Sequence, residues 1–261
     1  ILHTEIDDRG VATVTMTRPD VHNAFNDALI GALDEAFKTL GADERVRLIC
    51  LKGAGKSFSA GADLEWMKAA ANYGEDENRA DARRLSDMLH RVNDCPKPTL
   101  ALVQGAALGG GVGLVACADI AVAVRNAKFG FTEVRLGLIP ATIGPYAVAK
   151  IGEAAARRYF LTGERFDGEA AARLGLVQVT VGSEADLATA ADRLTADLLA
   201  AAPGAQAAAK ELIRAVKSRR IDTAVREDTA GRIAARRATA EAREGMAAFF
   251  EKRKPYWAAE D

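Results

Sequence analysis

The chain has 261 residues, 49% of them hydrophobic, and a net charge of −1 from 35 basic and 36 acidic side chains. This length can bury a substantial core, and the near-neutral charge gives no reason to expect nucleic acid or a membrane surface as a partner. The three cysteines and three histidines are scattered, so we expect reduced thiols, no metal site and a cytoplasmic location. No run of 18 apolar residues occurs, so no membrane span is predicted.

Short apolar segments alternate with amphipathic ones over the first two-thirds of the chain. Asn26 is a typical N-cap for a helix that Gly41 would end. Strands are predicted at Val11–Thr17, Val46–Lys52, Thr99–Gln104 and Asp119–Val124. This alternation favours an α/β architecture with parallel strands.

The composition becomes almost entirely helical after Arg157. Only Val177–Val181 interrupts it as a short apolar stretch, and Pro203 with Gly204 breaks it again. The segment 69–84 is polar and charged, and we expect it to be mobile.

Two segments of small residues, Ser57–Asp63 and Gly105–Gly113, each follow a predicted buried strand. The preceding stretch Gly53–Ser57 does not fit a phosphate-binding loop, and Gly105–Gly111 does not fit a dinucleotide-binding loop, because the glycine spacing is wrong in both. Loops without bulky side chains can present backbone N–H groups, and two such loops could direct two donors at one oxygen atom. The alternative is that the glycines only permit tight turns or close helix–sheet packing.

Several motifs, in order along the chain, resemble those of the enoyl-CoA hydratase/isomerase (crotonase) superfamily. The resemblance covers nearly the whole chain. The motifs are Arg18–Ala24, Ser57–Leu64, Pro98, Gly105–Gly113, Ala118–Ile120, Lys128–Gly130, Glu133, Leu136–Pro140 and Leu161–Gly163. The resemblance implies an α/β fold, a crotonase-like spiral of ββα repeats over residues 1–200. It also implies a helical C-terminal trimerisation region over residues 201–261, and a homotrimer or a hexamer built from two trimers.

The same resemblance implies an acyl-CoA thioester substrate, with coenzyme A as part of that substrate and no other cofactor. The backbone N–H groups of Ala62 and Gly110 would bind the thioester oxygen. The residues implied to lie along the coenzyme are His22, Asn23, Ala24, Ala60, Gly61, Asp63 and Leu64.

The resemblance places an acid–base glutamate at Glu133, whereas the position of a second glutamate in two-glutamate hydratases holds Gly113. Three functions stay open: a hydratase, a Δ3,Δ2-enoyl-CoA isomerase that uses the one glutamate, or a non-catalytic relative that binds CoA esters. We favour the hydratase, because Thr132–Tyr146 is similar to bacterial 3-methylglutaconyl-CoA and γ-carboxygeranoyl-CoA hydratases of leucine and acyclic terpene breakdown.

Overall fold

The computed structural model describes residues 1–258, and within them nine strands form two sheets. The strands are β1 Leu2–Ile6, β2 Val11–Met16, β3 Leu48–Gly53, β4 Thr99–Val103, β5 Ala106–Leu108, β6 Ile120–Val124, β7 Lys128–Gly130, β8 Arg165–Asp167 and β9 Val179–Val181. The larger sheet has the order β1-β2-β3-β4-β6-β9, and the smaller has the order β5-β7-β8. In the larger sheet only β1 is antiparallel to its neighbour, which confirms the predicted parallel α/β architecture.

Ten helices connect and cover the sheets in the described part of the chain. They are α1 Asp27–Ala42, α2 Leu64–Ala70, α3 Glu75–Asn93, α4 Gly110–Cys117, α5 Gly144–Thr162, α6 Gly168–Arg173, α7 Glu184–Ala200, α8 Pro203–Val216, α9 Thr223–Arg237 and α10 Ala240–Glu251. The Asn26 side chain caps α1 as predicted, because it accepts a hydrogen bond of 3.0 Å from the Leu29 N–H. Most of the polar segment 69–84 lies in helices α2 and α3, a difference from the mobile segment that we expected.

The larger sheet is buried on both faces, as is usual for parallel strands. One face packs on the main core, which includes Val14 of β2 and Leu51 of β3. The other face packs against α7, with Leu48 and Leu100 in contact with a cluster that contains Leu187. Successive side chains of each strand point to opposite faces, so packing on both faces fixes the strand ends from which the following loops begin.

The C-terminal region is attached to this core by two partly buried cations. Lys210 on α8 donates hydrogen bonds to Asp119 Oδ2 at 2.6 Å and to the Lys97 carbonyl at 2.9 Å. Arg47, just before β3, donates to the Trp257 carbonyl at 3.0 Å. The helical character predicted for this region is confirmed; the domain division at residue 200 stays a prediction, and residues 259–261 lie outside the described residues.

None of the helices in residues 1–258 is both long enough and apolar enough to cross a bilayer. Cys50, Cys95 and Cys117 are all buried and unpaired with one another. Burial raises the pKa of all three thiols, that of Cys50 to about 11.

Candidate active site

The two glycine-containing segments lie side by side, because they follow the neighbouring parallel strands β3 and β4. The Ser59 N–H donates to the Ala106 carbonyl at 2.9 Å, and the Leu108 N–H donates to the Ser59 carbonyl at 3.0 Å. A Cβ on Gly61 would lie only 2.9 Å from the Leu108 carbonyl oxygen. The predicted close approach of the two backbones is therefore present, and Gly61, whose φ is +92°, could not be replaced without strain.

Among residues 1–258 the backbone N–H of Ala62 has no acceptor, because of the way its loop is paired. Phe25 pairs with Ala62 in a parallel bridge, in which the Phe25 N–H donates to the Gly61 carbonyl and the Asp63 N–H donates to the Phe25 carbonyl. In this pattern the N–H of the bridged residue itself points to the opposite side. Ala62 is exposed, so its N–H is available to a ligand.

Gly110 supplies the second N–H, as the first residue of helix α4. The first N–H groups of a helix have no intrahelical acceptor, and the earliest such bond here runs from the Gly113 N–H to the Gly109 carbonyl. A Cβ on Gly110 would lie 2.6 Å from Cε2 of the Phe25 ring. Glycine is therefore required at this position for the helix end to pack on Phe25.

Glu133 begins a 3-10 turn over Glu133–Leu136, directly after β7, and its carboxylate lies beside the same helix end. A Cβ on Gly109 would lie 3.3 Å from Glu133 Oε1 and 3.8 Å from the Gly61 Cα. Glu133 Oε2 is buried without a hydrogen-bond partner in the described residues. Burial raises the pKa of Glu133, and a hydrogen bond from its own backbone N–H offsets part of that effect.

Gly113 lies one helical turn beyond Gly109, and the space next to it is taken by a hydrocarbon side chain. A Cβ on Gly113 would lie 2.3 Å from Ile143 Cγ2 and 2.9 Å from Ile143 Cβ. Gly113 and Ile143 are both buried. The position therefore offers no chemical group of its own, and a glutamate introduced there would clash with Ile143.

Asn23, predicted to contact a coenzyme, holds the two loops together. Its side chain donates to the carbonyls of Ala54 and Ser57 and accepts from the Arg18 N–H, at 2.8 to 2.9 Å. Its backbone carbonyl accepts from Ser59 Oγ at 2.9 Å, and its own N–H donates to the Arg18 carbonyl at 2.8 Å. All polar groups of Asn23 are bonded within the protein and the residue is buried, so the structure gives it a role in holding the loops, and its contact with a coenzyme stays a prediction.

Asp63 is likewise occupied within the protein. Its Oδ2 accepts a hydrogen bond of 2.7 Å from Arg18, and its Oδ1 caps helix α2 by accepting from the Glu65 N–H at 2.9 Å. Arg18 also donates to the Ala24 carbonyl. The Arg18 guanidinium holds the pKa of the Asp63 carboxyl below its ordinary value. Asp63 thus fixes the loop that carries Ala62, and its contact with a coenzyme stays a prediction.

The remaining predicted binding residues are either exposed or belong to the backbone around the Ala62 loop. His22 is exposed, with its Nδ1 3.1 Å from Ser57 Oγ, and Leu64 is 73% exposed. Ala60 is half-buried, and Ala24 is buried with its carbonyl bound to Arg18. These four residues surround the Ala62 loop, and their contact with a coenzyme stays a prediction.

Three features of the site were not found from the sequence: the Arg18–Asp63 ion pair, the packing of Phe25 on Gly110, and the occupation of the space beside Gly113 by Ile143. Arg18 and Asp63 both belong to the recognised motifs, and their opposite charges were the signal from which the ion pair could have been predicted. Nothing in the local sequence linked Ile143 to Gly113, which are 30 positions apart.

Two backbone N–H groups without an acceptor in the described residues lie beside the partly buried carboxylate of Glu133, which has one unpartnered oxygen, and together they define an enzyme-like site at the end of β3 and β4. The family model described as enoyl-CoA hydratase/isomerase matches residues 7–260. The chain therefore belongs to the enoyl-CoA hydratase/isomerase (crotonase) family.

Individual relatives support this membership over most of the chain. A crystal structure of an enoyl-CoA hydratase from Shewanella pealeana is 41% identical, with a TM-score of 0.95 over 98% of this chain and 95% of that one. A 1,2-epoxyphenylacetyl-CoA isomerase of Escherichia coli is 32% identical over 95% of each chain. An enoyl-CoA hydratase of Alternaria alternata is 33% identical over 83% of this chain and 74% of its own.

Proposed function

We propose that this protein is an enoyl-CoA hydratase, which adds water across the α,β double bond of an acyl-CoA thioester. The observation that carries the proposal is the position of Glu133: its carboxylate lies against Gly109, next to the free N–H groups of Ala62 and Gly110, with one oxygen unpartnered. The names of the Shewanella and Alternaria relatives support the same reaction.

The two N–H groups would bind the thioester oxygen, as an oxyanion hole does. Negative charge develops on that oxygen when a nucleophile adds at C3, so fixed donors stabilise the transition state more than the substrate. Both donors sit on backbone that is held in place by neighbouring hydrogen bonds, so they need not reorganise during the reaction.

Glu133 would carry both proton transfers. Its carboxylate takes a proton from water as the water oxygen bonds to C3, and the resulting carboxylic acid returns a proton to C2 of the enolate. The net change is the addition of one water molecule, with Glu133 restored to its carboxylate. A pKa raised by burial suits this exchange, because the group must both accept and release a proton near working pH.

For the substrate, we propose a branched enoyl-CoA of the 3-methylglutaconyl-CoA type. The similarity of Thr132–Tyr146 to that subgroup supports the proposal. The hydrocarbon side chain of Ile143 beside Gly113 also supports it, because an apolar residue there suits an alkyl branch better than a second acid. Arg135 is not placed to meet a substrate carboxylate: its side chain lies against Gly163, with its Cγ 3.0 Å from where a Cβ on that glycine would be.

A second candidate is a Δ3,Δ2-enoyl-CoA isomerase, favoured by the solitary carboxylate. A 1,3-proton shift needs one base, which removes a proton from C2 and returns it to C4, and Glu133 alone suffices. The isomerase name of the Escherichia coli relative shows that the family is not restricted to hydration.

Assembly as a homotrimer or a dimer of trimers is part of the proposal. It is supported by apolar side chains left exposed on the C-terminal helices, among them Ile213 on α8, Ile233 on α9, and Phe249 and Phe250 on α10. A surface of this kind is usually covered in solution.

One experiment separates the candidates. The purified protein is offered crotonyl-CoA, 3-methylglutaconyl-CoA and a 3-enoyl-CoA in ¹⁸O-labelled water, and products are analysed by mass. We expect ¹⁸O incorporation, with 3-methylglutaconyl-CoA preferred. Double-bond migration without ¹⁸O would establish the isomerase instead, and no turnover of any substrate would leave the non-catalytic relative.

A further inference from the structure

The Ile143 side chain packs directly against Gly113, so each residue limits which side chain the other position can hold. The 2.3 Å separation between Ile143 Cγ2 and a Cβ on Gly113 is far shorter than any real contact between carbon atoms. Ile143 is 2% exposed and belongs to the main core, which also includes Leu89 and Ala147. It cannot move aside without disturbing that packing, so residue 113 has to be glycine while Ile143 keeps its place.

This pair lies close to the reacting carbons of the proposed site. Gly109 touches Glu133 Oε1, and the Gly113 N–H donates to the Gly109 carbonyl at 3.1 Å. Gly113 is thus one helical turn, about 5.4 Å, further along α4. At this separation, the acyl group of a thioester held at the helix N-terminus, with C2 and C3 beside Glu133, could reach this part of α4.

We propose that Ile143 is a specificity-determining residue, an inference that rests on the proposed function. Its side chain fills the space that residue 113 leaves. It thereby keeps a second acid–base group away from Glu133 and limits the acyl group to a short, compact one. The ligand class that follows is a CoA thioester with a short acyl group that carries a small branch, as in the proposed 3-methylglutaconyl-CoA type, in preference to a long straight chain.

The test compares I143A with I143V. In I143A the loss of the branched side chain opens space for a longer acyl group, whereas I143V removes one terminal methyl and keeps the methyl that faces Gly113. We expect the ratio of kcat/KM for trans-2-octenoyl-CoA to that for crotonyl-CoA to rise about tenfold in I143A and about twofold to threefold in I143V. Binding of octanoyl-CoA relative to butyryl-CoA, measured by calorimetry, should shift in the same direction.

The fit itself is tested by a double-mutant cycle on melting temperature. G113A should lower the melting temperature of the wild type, and the further loss that G113A causes in an I143A background should be at most half as large. In an I143V background G113A should cost as much as in the wild type, because valine keeps the clashing methyl. The matched control is G31A on α1, where a Cβ meets nothing within 4 Å and no loss is expected.

The proposal would be overturned if the ratio of kcat/KM for trans-2-octenoyl-CoA to that for crotonyl-CoA stayed within about twofold of wild type in I143A. A core residue with no role in specificity would change only the melting temperature. If I143A does not fold, an unchanged ratio in I143V overturns it equally. Failure of wild type to turn over any enoyl-CoA would overturn the proposed function alone, because the acyl-CoA binding preference still tests Ile143.

Discussion

At the scale of single residues, Glu133 combines a buried carboxylate, one unpartnered oxygen and a raised pKa. We expect E133Q to lower kcat by about 10²- to 10⁴-fold, because the amide cannot exchange a proton with substrate or water. The fold and the binding of acyl-CoA should be retained, as shown by circular dichroism and calorimetry.

The control for E133Q is E164Q, which changes a glutamate paired with Arg158 on the surface. E164Q should keep wild-type kcat. Activity of E133Q within tenfold of wild type would show that another group carries the proton transfers.

The raised pKa of Glu133 also predicts how stability depends on pH. The folded chain holds this proton more tightly than the unfolded chain, so the group contributes stability that is fully present below the unfolded pKa of a glutamate, about 4.3. That contribution is lost as pH rises through the raised folded pKa.

We therefore expect E133Q to gain melting temperature relative to wild type as pH rises from about 4 to 8. Melting temperatures of both proteins across this range measure the difference. A constant difference at all pH values would mean that Glu133 titrates alike in the folded and unfolded chains.

At the scale of elements, the ion pair between Arg18 and Asp63 holds the loop that carries Ala62 against the start of helix α2. D63N keeps an oxygen that can cap α2 but removes the charge opposite Arg18. Leaving a largely buried guanidinium without its partner should lower the free energy of unfolding by about 3 kcal/mol. Because the Ala62 N–H is displaced, kcat should fall more than KM rises.

Urea unfolding and steady-state kinetics of D63N test this, with E65Q as the control on the same helix. Glu65 pairs with Lys68 on an exposed face, where such pairs contribute little. A D63N protein as stable and as active as E65Q would show that the ion pair does not position the loop.

Elements whose signal is local were predictable from the sequence. The Asn26 cap, the parallel strands and the small-residue loops after β3 and β4 all follow from neighbouring residues. Helix α3 was missed because it is strongly polar and only its last turns, around Met88 and Leu89, are buried in the core. Polar composition alone does not distinguish an exposed helix from a loop.

The site was predictable only in part, because several of its features depend on contacts between segments that are far apart in the sequence. Glu133 and the Ala62 and Gly110 N–H groups follow from motif positions, and the structure brings them together. The use of every polar group of Asn23 within the protein, and the fit of Ile143 to Gly113, depend on contacts between distant segments. Such packing cannot be read from one sequence.

At the scale of the whole molecule, the C-terminal helices leave several large apolar side chains exposed. Phe249 and Phe250 are each 78% exposed, next to Met246 on the same helix. If the proposed assembly uses this helix, F249D/F250D should lower the mass in light scattering from that of a trimer or hexamer to that of a monomer, because burying two carboxylates in an apolar contact is costly.

The control is A28D, which puts the same charge on an exposed position in the first turn of α1, where a carboxylate is tolerated. A28D should keep the wild-type mass. An unchanged mass for F249D/F250D would place the contact elsewhere on the molecule.

The three buried cysteines can report where the folded chain opens locally. They lie in different parts of the core, Cys50 on β3, Cys95 after α3 and Cys117 at the end of α4. Burial suppresses the thiolate that a labelling reagent needs, so reaction requires that the surrounding segment open. Labelling rates at each thiol, read by mass spectrometry, would therefore show whether the sheet and the helix that supplies Gly110 open together or separately.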